Sequence, residues 1–251
     1  MVNSIFAKQI GRNMEIYVDD MIVKSKEKTH CLGNLRKTFE QLRNNRLWIN
    51  LEKCLSGVTS GKFLGYMISE RGTVQHPDKI KVLLDMKPPE SYKDVQNLTG
   101  CLTALNRFIS KSEERNMSFF KNLRRASWER FRWDDECVRA FEELKEYLGS
   151  PKLLSRPETN EELQFYLAVS DEAVSSVLIR EGTQKPIYYV SHVLHRAEGN
   201  YQLIDTFAFA VVISARKLMI YFEYHPIKVI TDQPLKKVLA SPAYQDDSQP
   251  G

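Results

Sequence analysis

No apolar run in this 251-residue sequence approaches the ~18–20 residues needed to cross a bilayer. The first ten residues lack the charged-then-apolar pattern of a secretory signal. These absences point away from a membrane protein or a secreted one, and towards a protein kept inside the cell, cytoplasmic or nuclear. Cysteine is scarce as well. Cys31, Cys54, Cys101 and Cys137 stand apart, without the paired spacing of a zinc ribbon or a disulfide framework. His30 beside Cys31 has no second pair to complete a metal site, so reduced, mostly buried thiols are expected. What is present is globular in character: 42% of residues are apolar and 10% aromatic. The length suits one large or two ordinary domains.

The stretch richest in chemistry is Ile16-Tyr17-Val18-Asp19-Asp20-Met21-Ile22-Val23-Lys24. β-Branched and aromatic residues flank an Asp-Asp pair, which predicts a β-hairpin with two adjacent carboxylates at its tip. A hard divalent cation such as Mg²⁺ wants oxygen ligands held rigidly and left partly open for substrate phosphates, and a hairpin tip supplies that. The same dipeptide is also good turn chemistry with no further role.

The net charge of +4 is mild but uneven. Between Lys111 and Arg132 stand Lys111, Arg115, Lys121, Arg124, Arg125, Arg130 and Arg132 against Glu113, Glu114 and Glu129, an excess equal to that of the whole chain. Phe119, Phe120, Trp128, Phe131 and Trp133 are interleaved there. Basic side chains with aromatics suit a nucleic-acid backbone. The composition fits a solvated helix face equally well.

Along the chain, Met1–Ile10 reads as the tail of a helix ended by Gly11. Glu27–Asn44 is expected as a helix with Leu32, Leu35, Phe39 and Leu42 inward. Leu47–Leu51 and Phe63–Ile68 read as strands, with Gly65 permitting close backbone approach or a bulge. Asp78–Met86 is a short helix stopped by Pro88-Pro89. Ser91 caps the next, with Asp94 three residues on and an apolar stripe of Val95, Leu98, Leu102 and Leu105. Asp134 caps a helix holding Val138, Phe141, Leu144 and Leu148, closed by Gly149-Ser150-Pro151. The polar Pro151–Glu162 suggests a boundary. Strands at 163–170, 173–180 and 186–191, a helix over 200–221 and a strand at 227–232 follow. After Leu239 a polar, disordered tail is expected.

The hairpin box resembles the Tyr-x-Asp-Asp motif of reverse transcriptases. Its continuation, Phe63-Leu64-Gly65-Tyr66-Met67-Ile68 with His76-Pro77-Asp78-Lys79-Ile80, resembles the polymerase of gypsy-type long-terminal-repeat retrotransposons. The resemblance implies an α/β chain: an α+β palm and thumb remnant followed by an RNase H-like α/β domain. It places the end of the palm at 1–76, thumb and connection helices at 77–150, the RNase H-like domain at 151–240 and the tail at 241–251. It implies two-metal phosphoryl transfer with Mg²⁺, Asp19 as a metal ligand and Asp20 in support. It also implies template–primer or RNA–DNA hybrid contacts at Tyr17, Val18, Gly65, Arg107, Lys121, Arg124 and Arg125. Other segments of a retrotransposon polyprotein are further candidate partners. The family's fingers and its other palm Asp have no counterpart here, so the chain is expected to begin within a domain.

The RNase H-like half implies three carboxylates: one from the first strand, one from the long helix and one from the fourth strand. Ala168 and Phe207 stand at the first two positions, and only Asp232 is in place. Asp171 lies three residues past Ala168. Asp205 lies two residues from Phe207, roughly 200° around a helix. The expected function is a retrotransposon-derived RNA-directed DNA polymerase with an RNase H-like domain, catalytically impaired in this form and at most binding duplex or hybrid. The alternatives are an active polymerase within a longer precursor, or a structural or dimerisation scaffold.

Overall fold

The computed structural model describes residues 2–18, 20–25, 27–125, 131–150, 152–195 and 197–239, without the side chains of 122–125 and of Lys237. The expected tail at 241–251 lies outside them. The chain divides into two compact units, Met1–Glu70 and Arg71–Gly251, each with its own core.

In the first unit, helix α1 (Val2–Ile5) is followed by the antiparallel hairpin β1 (Met14–Tyr17) and β2 (Asp20–Val23), then helix α2 (Lys28–Asn44). α1 ends at Ile5, well before Gly11, and the intervening residues form turns. Phe6, Met14 and Leu42 form the core. α2 presents a different face from the one its apolar spacing suggested. Thr38 is buried, its hydroxyl donating to the Asn34 carbonyl at 2.9 Å and to Gln9 Oε1 at 3.2 Å. Leu32 and Phe39 are 77% and 42% exposed. The expected strand at 47–51 is absent: these residues lead into a 3₁₀ turn, Leu51–Lys53. The expected strand at 63–68 is two strands, β3 (Ser60–Phe63) and β4 (Tyr66–Ser69), paired antiparallel. Leu64 and Gly65 form their two-residue turn with φ +51° and +76°, the primed geometry that suits a hairpin and favours Gly.

The second unit opens with β5 (Gly72–Gln75) and helices α3 (Pro77–Leu84), α4 (Tyr92–Thr103), α5 (Ser112–Arg125) and α6 (Asp135–Gly149). The capping box at α4 forms as the spacing requires: Ser91 Oγ accepts from the Asp94 N–H at 3.3 Å and donates to Asp94 Oδ2 at 2.7 Å. Val95, Leu98, Leu102 and Leu105 are all buried, joined by Phe119, Phe141, Leu144 and Leu148. On α6 the inward residue of the first turn is Cys137 instead of Val138.

The two-residue strand β6 (Leu153–Leu154) pairs antiparallel with β5, and the Ser155 N–H reaches the Pro186 carbonyl at 2.7 Å. The supposed linker therefore carries ladder bonds that no local pattern announces. Strands β7 (Leu163–Val169), β8 (Ala173–Arg180) and β9 (Pro186–Val193) form an antiparallel meander, and β10 (Ile227–Ile230) adds parallel to β7. The sheet order is β10-β7-β8-β9, which puts β10 at an edge. The expected single helix at 200–221 is two, α7 (Leu203–Lys217) and α8 (Met219–Tyr224), broken at buried Leu218. A short helix α9 (Leu235–Leu239) closes the described chain. α7 packs on the sheet through Ala208 and Val211 against Leu163, Phe165 and Leu178.

Gly72 has φ +134°, and a Cβ there would sit 2.1 Å from the Leu154 carbonyl oxygen. Gly72→Ala is expected to destabilise the second unit by more than the ~1–3 kcal/mol of backbone strain alone. Gly100→Ala, in α4 with nothing within 4 Å of the added carbon, is expected to stabilise by ~0.5–1 kcal/mol. Denaturant unfolding of the two variants measures both.

Candidate functional site

At the hairpin, Tyr17 pairs with Asp20, and Val18 follows β1 into the connecting turn. Asp20 is therefore the first residue of β2, not a tip residue, and is exposed; Asp19 lies outside the described residues. Val18 holds φ +54°, a left-handed conformation that a β-branched side chain adopts only under constraint. Tyr17 and Val18 present 59% and 71% of their surface to solvent. Glu15 is engaged by the Lys24 ammonium, which ties the two strands at the hairpin base and occupies the nearest further carboxylate.

The remaining candidate contacts are distributed differently. Gly65 sits at the β3–β4 turn. Arg107 lays its guanidinium 4.8 Å from the centre of the Tyr188 ring on β9, and Lys121 pairs with Glu172 at 3.2 Å. Arg124 and Arg125 lie in the last turn of α5, with their side chains outside the described set. Three interleaved aromatics turn inward: Trp133 stacks on buried Phe119 at 5.6 Å, and Phe131 meets Tyr92 edge-on at 5.2 Å.

At the RNase H-like centre, Asp232 and Ala168 each stand two residues beyond the last parallel rung, Ile230↔Tyr166. Ala168 faces Ser175 across the ladder. Asp232 is exposed, and its Oδ1 accepts from the Gln233 amide at 3.3 Å. Phe207 packs against the sheet core. Asp205 lies in the first turn of α7, and Asp171 is exposed in the turn after β7. Methyl and phenyl groups cannot ligate a cation, so this donor set does not fit two divalent ions. Among the described residues no three His, Cys, Asp or Glu side chains converge as a metal cluster.

Two family models match the chain: reverse transcriptase (RNA-dependent DNA polymerase) over residues 1–68, and RNase H-like domain found in reverse transcriptase over 133–229. The chain is 27% identical over 236 residues to the Transposon Tf2-3 polyprotein of Schizosaccharomyces pombe, covering 92% of this chain and 18% of that protein. It is 29% identical over 255 residues to the retrovirus-related Pol polyprotein from transposon opus of Drosophila melanogaster, covering 96% and 25%. The chain thus carries a reverse transcriptase segment and an RNase H-like segment, homologous to the corresponding region of retrotransposon Pol polyproteins. This reverse transcriptase–RNase H segment thus spans a quarter or less of the relatives it matches. It shares its fold with foamy viral protease-reverse transcriptase structures. The one in complex with RNA/DNA hybrid matches with a TM-score of 0.81 at 21% identity, over 96% of this chain and 33% of that one. The one in complex with dsDNA gives the same TM-score and identity, over 96% and 50%. Reverse transcriptase and RNase H-like domains generally use Mg²⁺.

One cluster carries no local sequence signal, because its members are remote in sequence. The Glu113 N–H at the start of α5 donates to Ser191 Oγ on β9 at 3.2 Å, Ser191 shares a proton with Ser175 at 2.9 Å, and Lys217 caps the Ser191 carbonyl at 3.1 Å. Burial pushes the Glu113 carboxyl above its ordinary value, and Lys217 and His192 pull it back only in part. Glu198 shows the opposite balance. Burial there is outweighed by the His195 N–H and the His192 ring, and its pKa falls. A carboxyl raised in the folded state supports the fold below its unfolded pKa near 4.5 and withdraws that support as pH rises through the raised value. Glu113→Gln is therefore expected to remove a loss of stability between pH 4.5 and neutrality, with wild type and variant converging at the acid end. Thermal melts of the pair across that range check it.

Proposed function

We propose that these residues, taken by themselves, bind template–primer or RNA–DNA hybrid and neither extend nor cut it. One observation carries the reading: at the RNase H-like centre Ala168 and Phe207 occupy two of the three carboxylate positions, leaving Asp232. One carboxylate cannot hold two divalent ions against their mutual repulsion, and losing one member of a catalytic unit costs several powers of ten in rate. Phe207 packs against the sheet core and Ala168 is small enough to be tolerated on β7, so the fold is kept while the chemistry is not.

At the hairpin, Asp19 and Asp20 are the proposed Mg²⁺ ligands of the polymerase centre, and Tyr17, Val18 and Gly65 the proposed contacts to template–primer. Arg107, Lys121, Arg124 and Arg125 extend that proposed surface. The proposed functional divisions run 1–76, 77–150 and 151–240, inside the cell, with other polyprotein segments as partners. The second reading, an active polymerase when these residues are part of a longer polypeptide, is favoured by the Tyr-x-Asp-Asp box on its hairpin, whose carboxylates need a partner from another strand.

Three assays on the purified chain decide. A labelled hybrid is expected to bind at low salt, with affinity falling steeply as salt rises. A primed template in magnesium is expected to stay unextended, and the hybrid uncut, in wild type and Asp232→Asn alike. Magnesium-dependent cleavage abolished by Asp232→Asn, or primer extension, overturns the proposal. Absence of binding at low salt leaves a scaffold role.

A further inference from the structure

The basic stretch identified from sequence is unequal once folded. Lys111 pairs with Glu114 at 3.4 Å and Lys121 with Glu172 at 3.2 Å, so two of its cations already meet carboxylates. Arg115 does not, and it is held in a different way. Its guanidinium lies 4.7 Å from the centre of the Tyr147 ring on α6, and its Nε donates to the Ser110 carbonyl at 3.1 Å. Lys152, just past α6, brings its ammonium to 4.4 Å from the same ring and donates to Ser150 Oγ at 2.8 Å. Tyr147 is itself a fixed post: its hydroxyl accepts from the Ser110 N–H and donates to the Phe108 carbonyl, both at 3.2 Å. Among the described residues neither Arg115 nor Lys152 makes an ion pair, and both are half-buried.

We propose that Arg115 and Lys152, held against Tyr147, form a phosphate-binding pair for the backbone of a nucleic-acid duplex. The pair rests on the binding reading given above and assigns its strongest contact. Each cation keeps N–H donors beyond those committed to the protein: the Arg115 Nη groups and the remaining ammonium hydrogens of Lys152. Stacking on a rigid ring fixes long side chains before a ligand arrives, which lowers the ordering cost of binding. A phosphate meeting Lys111 or Lys121 must first displace a carboxylate. One meeting Arg115 and Lys152 does not. Neither lysine nor arginine here reads a base edge, so the contact is independent of sequence.

The test is a salt titration of binding to a labelled RNA–DNA hybrid of about 20 base pairs, with wild type, Arg115→Gln, Lys152→Gln, the double variant and Lys111→Gln. Each substitution in the pair is expected to lower the salt slope by about 0.9, which is roughly eightfold in affinity at ~0.1 M salt. Lys111→Gln is expected to change both by less. Melting temperatures are read alongside, because stacking on Tyr147 also braces α5 against α6. A reduced slope in Lys152→Gln with an unchanged melting temperature supports phosphate binding. A double variant that retains the wild-type slope and affinity overturns the pair while leaving the binding reading intact. A wild-type chain that binds no hybrid at low salt removes both.

Discussion

An edge strand offers a row of unpaired backbone groups on one side, and β9 sits at the edge of its sheet with only β8 beside it in the ladder. The helical layer is docked along that strand. The Pro186 carbonyl takes the Ser155 N–H, the Tyr188 ring takes the Arg107 guanidinium, and Ser191 takes the Glu113 N–H and the Lys217 ammonium. Each contact joins residues more than 25 positions apart. Together they make the helices of 77–149 and the sheet of 163–230 one compact unit, and the orientation of α5, with its cations, follows from them.

The core beneath that docked layer is apolar throughout. It includes Leu163, Phe165, Leu178, Ile187, Val190, Ala208 and Val211, none of which serves a metal. Phe207 adds apolar contact to it, and burying an ionised group there without a cation would be costly. At the hairpin the balance differs. Val18 holds a left-handed conformation because a two-residue hairpin turn requires it, as at Leu64-Gly65, so the cost there belongs to the turn and not to a buried charge.

Much of the helical layer was legible because its signals are local. The Ser91–Asp94 box and the spacing of Val95, Leu98, Leu102 and Leu105 lie within a few turns, and the structure satisfies both. α2 buries Thr38, whose hydroxyl is satisfied by the Asn34 carbonyl within the helix and by Gln9 outside it, while Leu32 and Phe39 face out, so apolar spacing alone does not identify its inward face. The strand expected at 63–68 split because Leu64-Gly65 accepts a two-residue turn, which an apolar run conceals. β6 was invisible: two leucines after a proline carry no strand signal until β5 arrives beside them.

The sequence by itself determined the order of segments, the Tyr-x-Asp-Asp box and the presence of Ala168 and Phe207 where the resemblance implies carboxylates, because residue identity and spacing are properties of the chain. Only the tertiary structure decided which cations are already neutralised and which stand ready. The Lys111–Glu114 and Lys152–Tyr147 contacts are local, but Lys121 meets Glu172 and Arg115 meets Tyr147 only because separate elements are brought together, and electrostatic attraction falls with distance in space, not along the chain.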